Sequence, residues 1–302
     1  MLRTGSFAFA LITIASLAVA PAATAQLGPG AGKIGVSPPR VELEIGPRPS
    51  TETIRVINFG DEPVEVNVRV HSWDLDHDNR VRLRPPTEQS LDQWMIINPL
   101  HFTIEPGRTQ AVRFSVRPRV EPEPGEHRAM VYFEQESRPE PGAETSTFRT
   151  LFRLGVAVYG YVGEPTRLGT LHSVGVEDRE GWFEVSSEGS AHVRLDGQVA
   201  VWPVSLYPGS NATTPAAQRD DNSLGAPPGV LHAALVPTTP ILPGTRRKIR
   251  FPIPGDLPPG SYVLDVNASL GDRPLEMAVP FMIPAALEAD AGEAQTTAEP
   301  AG

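Results

Sequence analysis

The chain has 302 residues, is 40% hydrophobic and carries a formal net charge of −10, an acidic balance that argues against a general nucleic-acid or anionic-membrane binder. It contains no cysteine, which removes disulfides and thiolate metal ligands, and its 27 glycines and 33 prolines favour many short strands over long helices. Only two of the 26 basic residues are lysines, Lys33 and Lys248, a bias that weakens any argument from a single arginine having been chosen over lysine.

Met1–Ala25 reads as a secretory signal peptide. Arg3 precedes an apolar run from Phe7 to Ala20, and Ala23-Thr24-Ala25 places small residues where a signal peptidase accepts them. The run is short for a bilayer span and no stop-transfer pattern follows it. The mature chain is therefore expected to begin at Gln26, to be periplasmic and to have no stable membrane insertion. Residues 26–33 form a Gly-rich leader. Two strand-rich blocks follow, 34–163 and 164–285, and an Ala/Glu-rich tail, 286–302, is too poor in apolar residues to fold.

In the first block Val64, Val66, Val68 and Val70 alternate with Glu65, Asn67, Arg69 and His71, and Val112, Phe114 and Val116 alternate with polar residues. A strand points successive side chains to opposite faces, so each series lines a core. Phe148, Phe152, Leu154, Val156 and Val158 share one parity in a longer run. Turn clusters at 59–63, 105–107 and 121–125 separate the runs, giving about seven strands before Tyr161, the number expected of an immunoglobulin-like sandwich. In the second block Ile249, Phe251 and Ile253 share a parity, as do Tyr262, Leu264, Val266 and Ala268, while residues 209–229 lack periodicity and read as a long loop. The fold class is all-β: two immunoglobulin-like β-sandwich domains, with no amphipathic helix of useful length after residue 25.

The order of these pieces resembles the N-terminal domain of the periplasmic pilus-assembly (PapD-like) chaperones. IGVSPPRVEL (34–43) looks like their first strand, TETIRVINFGDEPVEVNVRVHSW (51–73) like the next two, and INPLHFTIEPGRTQAVRFSV (97–116) like their Pro-Gly stretch. EPGEHRAMVYFEQ and RTLFRLGVAVYGYV (149–162) occupy the places of their last two strands. The resemblance implies β-strand donation: the last strand of the first domain is lent to an incomplete pilin-like subunit, whose open sheet edge would otherwise aggregate. It implies subunits as partners, with an outer-membrane usher beyond them, and an arginine–lysine clamp on the subunit's terminal carboxylate. Carried over, the clamp arginine is Arg40. The lysine position falls on Val156, and the nearest cation, Arg153, lies on the opposite face of a regular strand. Client-binding residues are thus expected at Arg40, Phe148, Phe152, Arg153, Leu154, Val156 and Val158.

Other motifs have plainer readings. Asp74-Leu-Asp76-His-Asp78-Asn79 begins like a calcium loop but lacks glycine at the sixth position and has Pro85 at the twelfth, so it reads as an acidic hairpin tip. The seven histidines show no zinc-ligand spacing on a common element, and neither metal nor cofactor is expected. No serine sits in a G-x-S-x-G turn, and the carboxylate pair Glu134/Glu136 has no environment that would tune it, so an enzyme is not expected. The alternative to a chaperone is a structural or adhesive module that reuses the sandwich fold at the cell surface.

Overall fold

The structure, a computed structural model, describes residues 34–136, 152–218 and 224–285. The expected signal peptide, the leader, the tail and Phe148 lie outside the described residues.

The first sandwich is built from β1 (Ile34–Ser37), β2 (Arg40–Glu44), β3 (Ser50–Asn58), β4 (Val64–Leu75), β5 (Val81–Arg84), β6 (Met95–Asn98), β7 (His101–Ile104), β8 (Thr109–Val116), β9 (Gly125–Gln135) and β10 (Arg153–Val162). One sheet has the order β1-β3-β8-β6; the other runs β2-β10-β9-β4-β5, with β7 also paired to β4. There are more strands than the alternation suggests, partly because the first one is divided. Pro38 and Pro39 offer no N–H to a ladder, so the antiparallel pairing of β1 with β3 stops at Ser37 and the chain crosses to the other sheet as β2.

Period-two alternation places the core as expected. Val64, Val66 and Val68 are buried from one sheet, Val112, Phe114 and Val116 from the other, and each such side chain contributes about 1.5–3 kcal/mol on leaving water. A single helical turn, α1 (Leu91–Trp94), plugs one end with Leu91 and Trp94. The indole N–H of Trp94 donates to the Glu88 carbonyl at 2.9 Å, which lets a polar ring sit inside. The acidic stretch around Asp76 is the tip of the β4–β5 hairpin: Asp76 Oδ1 accepts from the Asp78 and Arg80 N–H groups at 3.0 and 2.9 Å.

The second sandwich repeats the principle. β11 (Gly169–Glu177), β12 (Glu180–Ser187) and the strand Arg246–Pro252 form one sheet. In the facing sheet β13 (Val193–Pro203) lies between His232–Leu235 and Gly260–Leu270, and Arg273–Ile283 makes the edge. Phe183, Leu195, Ile249 and Leu264 fill the space between them. Within the irregular 209–229 stretch the described residues include one short helical turn, Ser210–Ala212, and a two-residue ladder, Ala217–Gln218 against Leu224–Gly225. No helix among the described residues is long and apolar enough to cross a membrane.

The two sandwiches meet through a small core of their own. Trp73, Met130, Tyr159 and Tyr161 from the first pack with Ala191 and Leu242 from the second. The β4–β5 hairpin tip is tied across: Arg247 donates to the carbonyls of Asp76 and, at 2.8 Å, Leu75, and the Asn79 amide donates to the Lys248 carbonyl at 3.2 Å. Gly125 has φ +117° where β9 begins; a Cβ there would sit 3.1 Å from the Ser190 carbonyl oxygen, which accepts the Glu126 N–H at 3.0 Å.

Candidate functional site

β10 has unequal neighbours. On one side it pairs with β9 along all ten of its residues, Arg153 to Val162, without a break in register. On the other side β2 runs parallel to it only from Ala157 to Tyr161. Among the described residues no strand pairs with the edge of Arg153–Val156. Which groups face that opening follows from the ladders, because a strand residue turns its N–H and C=O to the same side and the next residue to the other. Ile45 N–H donates to the Tyr161 carbonyl at 2.7 Å, and Gln135 N–H to the Phe152 carbonyl at 3.1 Å. Odd-numbered residues therefore address β2 and even-numbered ones β9, and Arg153 and Gly155 aim their main-chain groups at the open side.

The side chains of β10 narrow the expected client surface. Val156 and Val158 are 0% exposed and belong to the core of their own sandwich, so they cannot reach into a second protein while that core is intact. Phe152 and Leu154 share their parity but are only partly buried, packed at the edge of the core beside the open segment. The alternation identified the core-facing side of β10, but it could not separate the two fully buried valines from Phe152 and Leu154, which lie half-buried at the end of the strand that β2 does not reach.

The cations are arranged differently from a clamp centred on position 156. The unbroken register excludes a bulge, so Arg153 lies on the face opposite Val156, where it pairs with Glu134 at 2.8 Å and covers the Tyr132 ring at 3.8 Å. Arg40 shares that outer face, because its ladder partner is Ala157. It is half-exposed and pairs with Glu42 at 2.9 Å. Glu42 also accepts from the Tyr161 hydroxyl at 2.9 Å and lies 3.6 Å from the Arg167 guanidinium, which covers the Tyr161 ring at 4.8 Å. Burial, then the Glu42 carboxylate, push the Tyr161 phenol well above its ordinary value, so it stays a neutral donor. Arg40 and Arg167 thus flank one carboxylate supplied by the chain itself. Arg167 follows the last strand of the first sandwich and has no spacing signal; Glu42 could have been found as the outward neighbour of Arg40 two residues on.

Beside this group lies a buried charge cluster at the junction. The Glu126 side chain is 0% exposed; its oxygens lie 2.8 Å from Arg128 Nη1 and 2.6 Å from His192 Nδ1, and the His192 N–H donates to it at 2.8 Å. Burial alone would raise its pKa, but the His192 hydrogen bonds and the His192 and Arg128 charges outweigh burial and hold it below the ordinary value. Tyr159 packs on His192 at 4.3 Å, and burial, opposed by Arg194, pushes its phenol up to about 12. In the sequence Glu126 and Arg128 stand two residues apart in the segment EPGEHRAMVYFEQ, and nothing there marks the partner His192, 66 residues on.

No protein-family model and no curated protein matches the sequence. Among solved structures it is similar to the CsuC–CsuE chaperone–tip adhesion subunit complex of Acinetobacter baumannii, at 12% identity over 82% of this chain and 98% of that one, with a TM-score of 0.42. It is also similar to the SafB chaperone in complex with the SafA pilin of Salmonella enterica, at 14% identity over 83% and 96%, TM-score 0.38. A PapD-like domain of human CEP192 matches 49% of this chain and 98% of its own, at 14% identity and TM-score 0.31. The two-sandwich architecture stands on this chain's own strand order and cores.

Proposed function

We propose that the chain is a periplasmic chaperone that binds and stabilises pilus- or fimbria-type subunits by β-strand donation, working by binding alone and without a chemical step. The single observation that carries this reading is the mismatch on β10: ten residues paired on one edge, five on the other. A guest strand entering at Arg153–Val156 would find two outward-facing residues' main-chain groups and a half-buried apolar pair, Phe152 and Leu154. Those are the two ingredients of β-strand addition, main-chain affinity and side-chain pockets. In this reading Arg40, joined by Arg167, attracts a guest carboxylate that exchanges with Glu42. The solved structures with similar folds include chaperones caught with their subunits, and the subunit class proposed here is of that kind; an outer-membrane usher would receive the product.

Expression of small secreted pilin-type subunits with and without this chain tests the reading. Subunits should be soluble and co-elute with it only when it is present. Subunits that remain soluble without it and never co-elute would leave the structural or adhesive module as the better account.

A further inference from the structure

The geometry points to a divalent metal site, of the kind that takes Zn2+, formed by Glu65, His101 and Glu136 on the outer face of the first sandwich. It goes beyond the chaperone reading and does not depend on it.

The three residues are far apart in sequence and are assembled by two ladders around β4. Val64, Val66 and Val68 face the core, so Glu65 and Asn67 face outward. On one side of β4, Asn67 is the ladder partner of His101 on β7. On the other, Val66 pairs with Gln135 on β9, and the next N–H, that of Glu136, donates to the Glu65 carbonyl at 2.9 Å. The pleat therefore turns one imidazole and two carboxylates to the same side of three adjacent strands.

Their ligand atoms converge. His101 Nε2 lies 2.8 Å from Glu65 Oε1 and 3.3 Å from Glu136 Oε2, and all three ligand atoms fall within 4.8 Å of one another. Nitrogen and oxygen ligands held about 2.0–2.1 Å from a tetrahedral Zn2+ are about 3.3 Å apart, so little movement is needed to close on an ion. Three protein ligands with one position left to water is a recurrent zinc arrangement. The imidazole argues against calcium and magnesium, which take oxygen ligands. Asn67 donates to Glu136 Oε2 at 3.2 Å and so orients that carboxylate from outside the ligand set. The His101 and Glu136 side chains are 52% and 47% exposed, which gives an ion a direct path in.

An ion here would tie β4, β7 and β9 together where β9 ends. The test is titration of the mature chain with ZnCl2, followed by calorimetry and by the thermal unfolding midpoint. We expect one ion per chain and a raised midpoint, with affinity falling at least about tenfold in His101→Ala and in Glu136→Gln and unchanged in His77→Ala, an exposed histidine at the hairpin tip. X-ray absorption of the loaded chain should show one imidazole nitrogen among oxygen ligands. Failure to bind Zn2+, or binding that survives both His101→Ala and Glu136→Gln, overturns the site; His101 would then be only a polar contact of the two carboxylates. Because the measurement uses the chain alone, it can fail without touching the chaperone reading, and the reverse also holds.

Discussion

Gly155→Pro isolates the open edge of β10. The Gly155 N–H faces away from β9, so proline there removes no hydrogen bond from the β9–β10 ladder, and an edge position is where a strand tolerates proline. The substitution does add atoms: a Cβ at this position meets Met130 Sδ at 3.0 Å and Tyr132 Cε1 at 3.1 Å, both on side chains that can shift. Gly155→Ala carries the same Cβ and keeps the N–H, so the difference between the two variants measures the donor. A guest carbonyl deprived of that donor inside a new sheet costs about 1–2 kcal/mol, or about five- to thirty-fold in Kd. The assay is the Kd of a co-purified subunit for each variant by competition, with urea unfolding of the free variants as the control for folding. Equal affinity of the alanine and proline variants, both folded, would refute the argument that guests enter at Arg153–Val156.

Arg40→Ala should weaken subunit capture by about 1.5–3 kcal/mol if a charge-assisted bond to a guest carboxylate is lost, whereas Glu42→Gln, which removes the internal competitor for Arg40 and Arg167, should tighten it; a subunit trimmed of its terminal carboxylate should be indifferent to both. Stability should fall on acidification. Glu126 is held below its ordinary value of 4.5, so its contribution is complete above that pH and is lost as pH drops through the lowered folded value; unfolding midpoints should decline below about pH 4.5 and decline less in Glu126→Gln. Asn58 is 0% exposed and its amide donates to the Glu62 and Ile104 carbonyls at 2.7 and 3.0 Å while its oxygen accepts the Gly60 N–H at 2.9 Å. Asn58→Ala should lower the urea-unfolding free energy by about 1–3 kcal/mol with no change in subunit specificity.

What could be read along the chain is what depends on neighbours in sequence. The valines of β4, the series Val112, Phe114 and Val116, and the core parity of β10 follow from a two-residue period, and prolines and glycines mark where those runs stop. From these the all-β class and the core residues follow. The same local rule correctly placed Arg153 across from Val156, because β10 keeps its register throughout. Only tertiary structure decided which stretch of β10 is covered by β2 and which is open, that Glu42 stands between Arg40 and Arg167, and that Glu65, His101 and Glu136 converge. Each of these is a matter of register between strands distant in sequence. Pairing is set by how whole sheets bury their apolar faces, and a single segment's alternation repeats every two residues without saying which partner, or how much of one, lies alongside it.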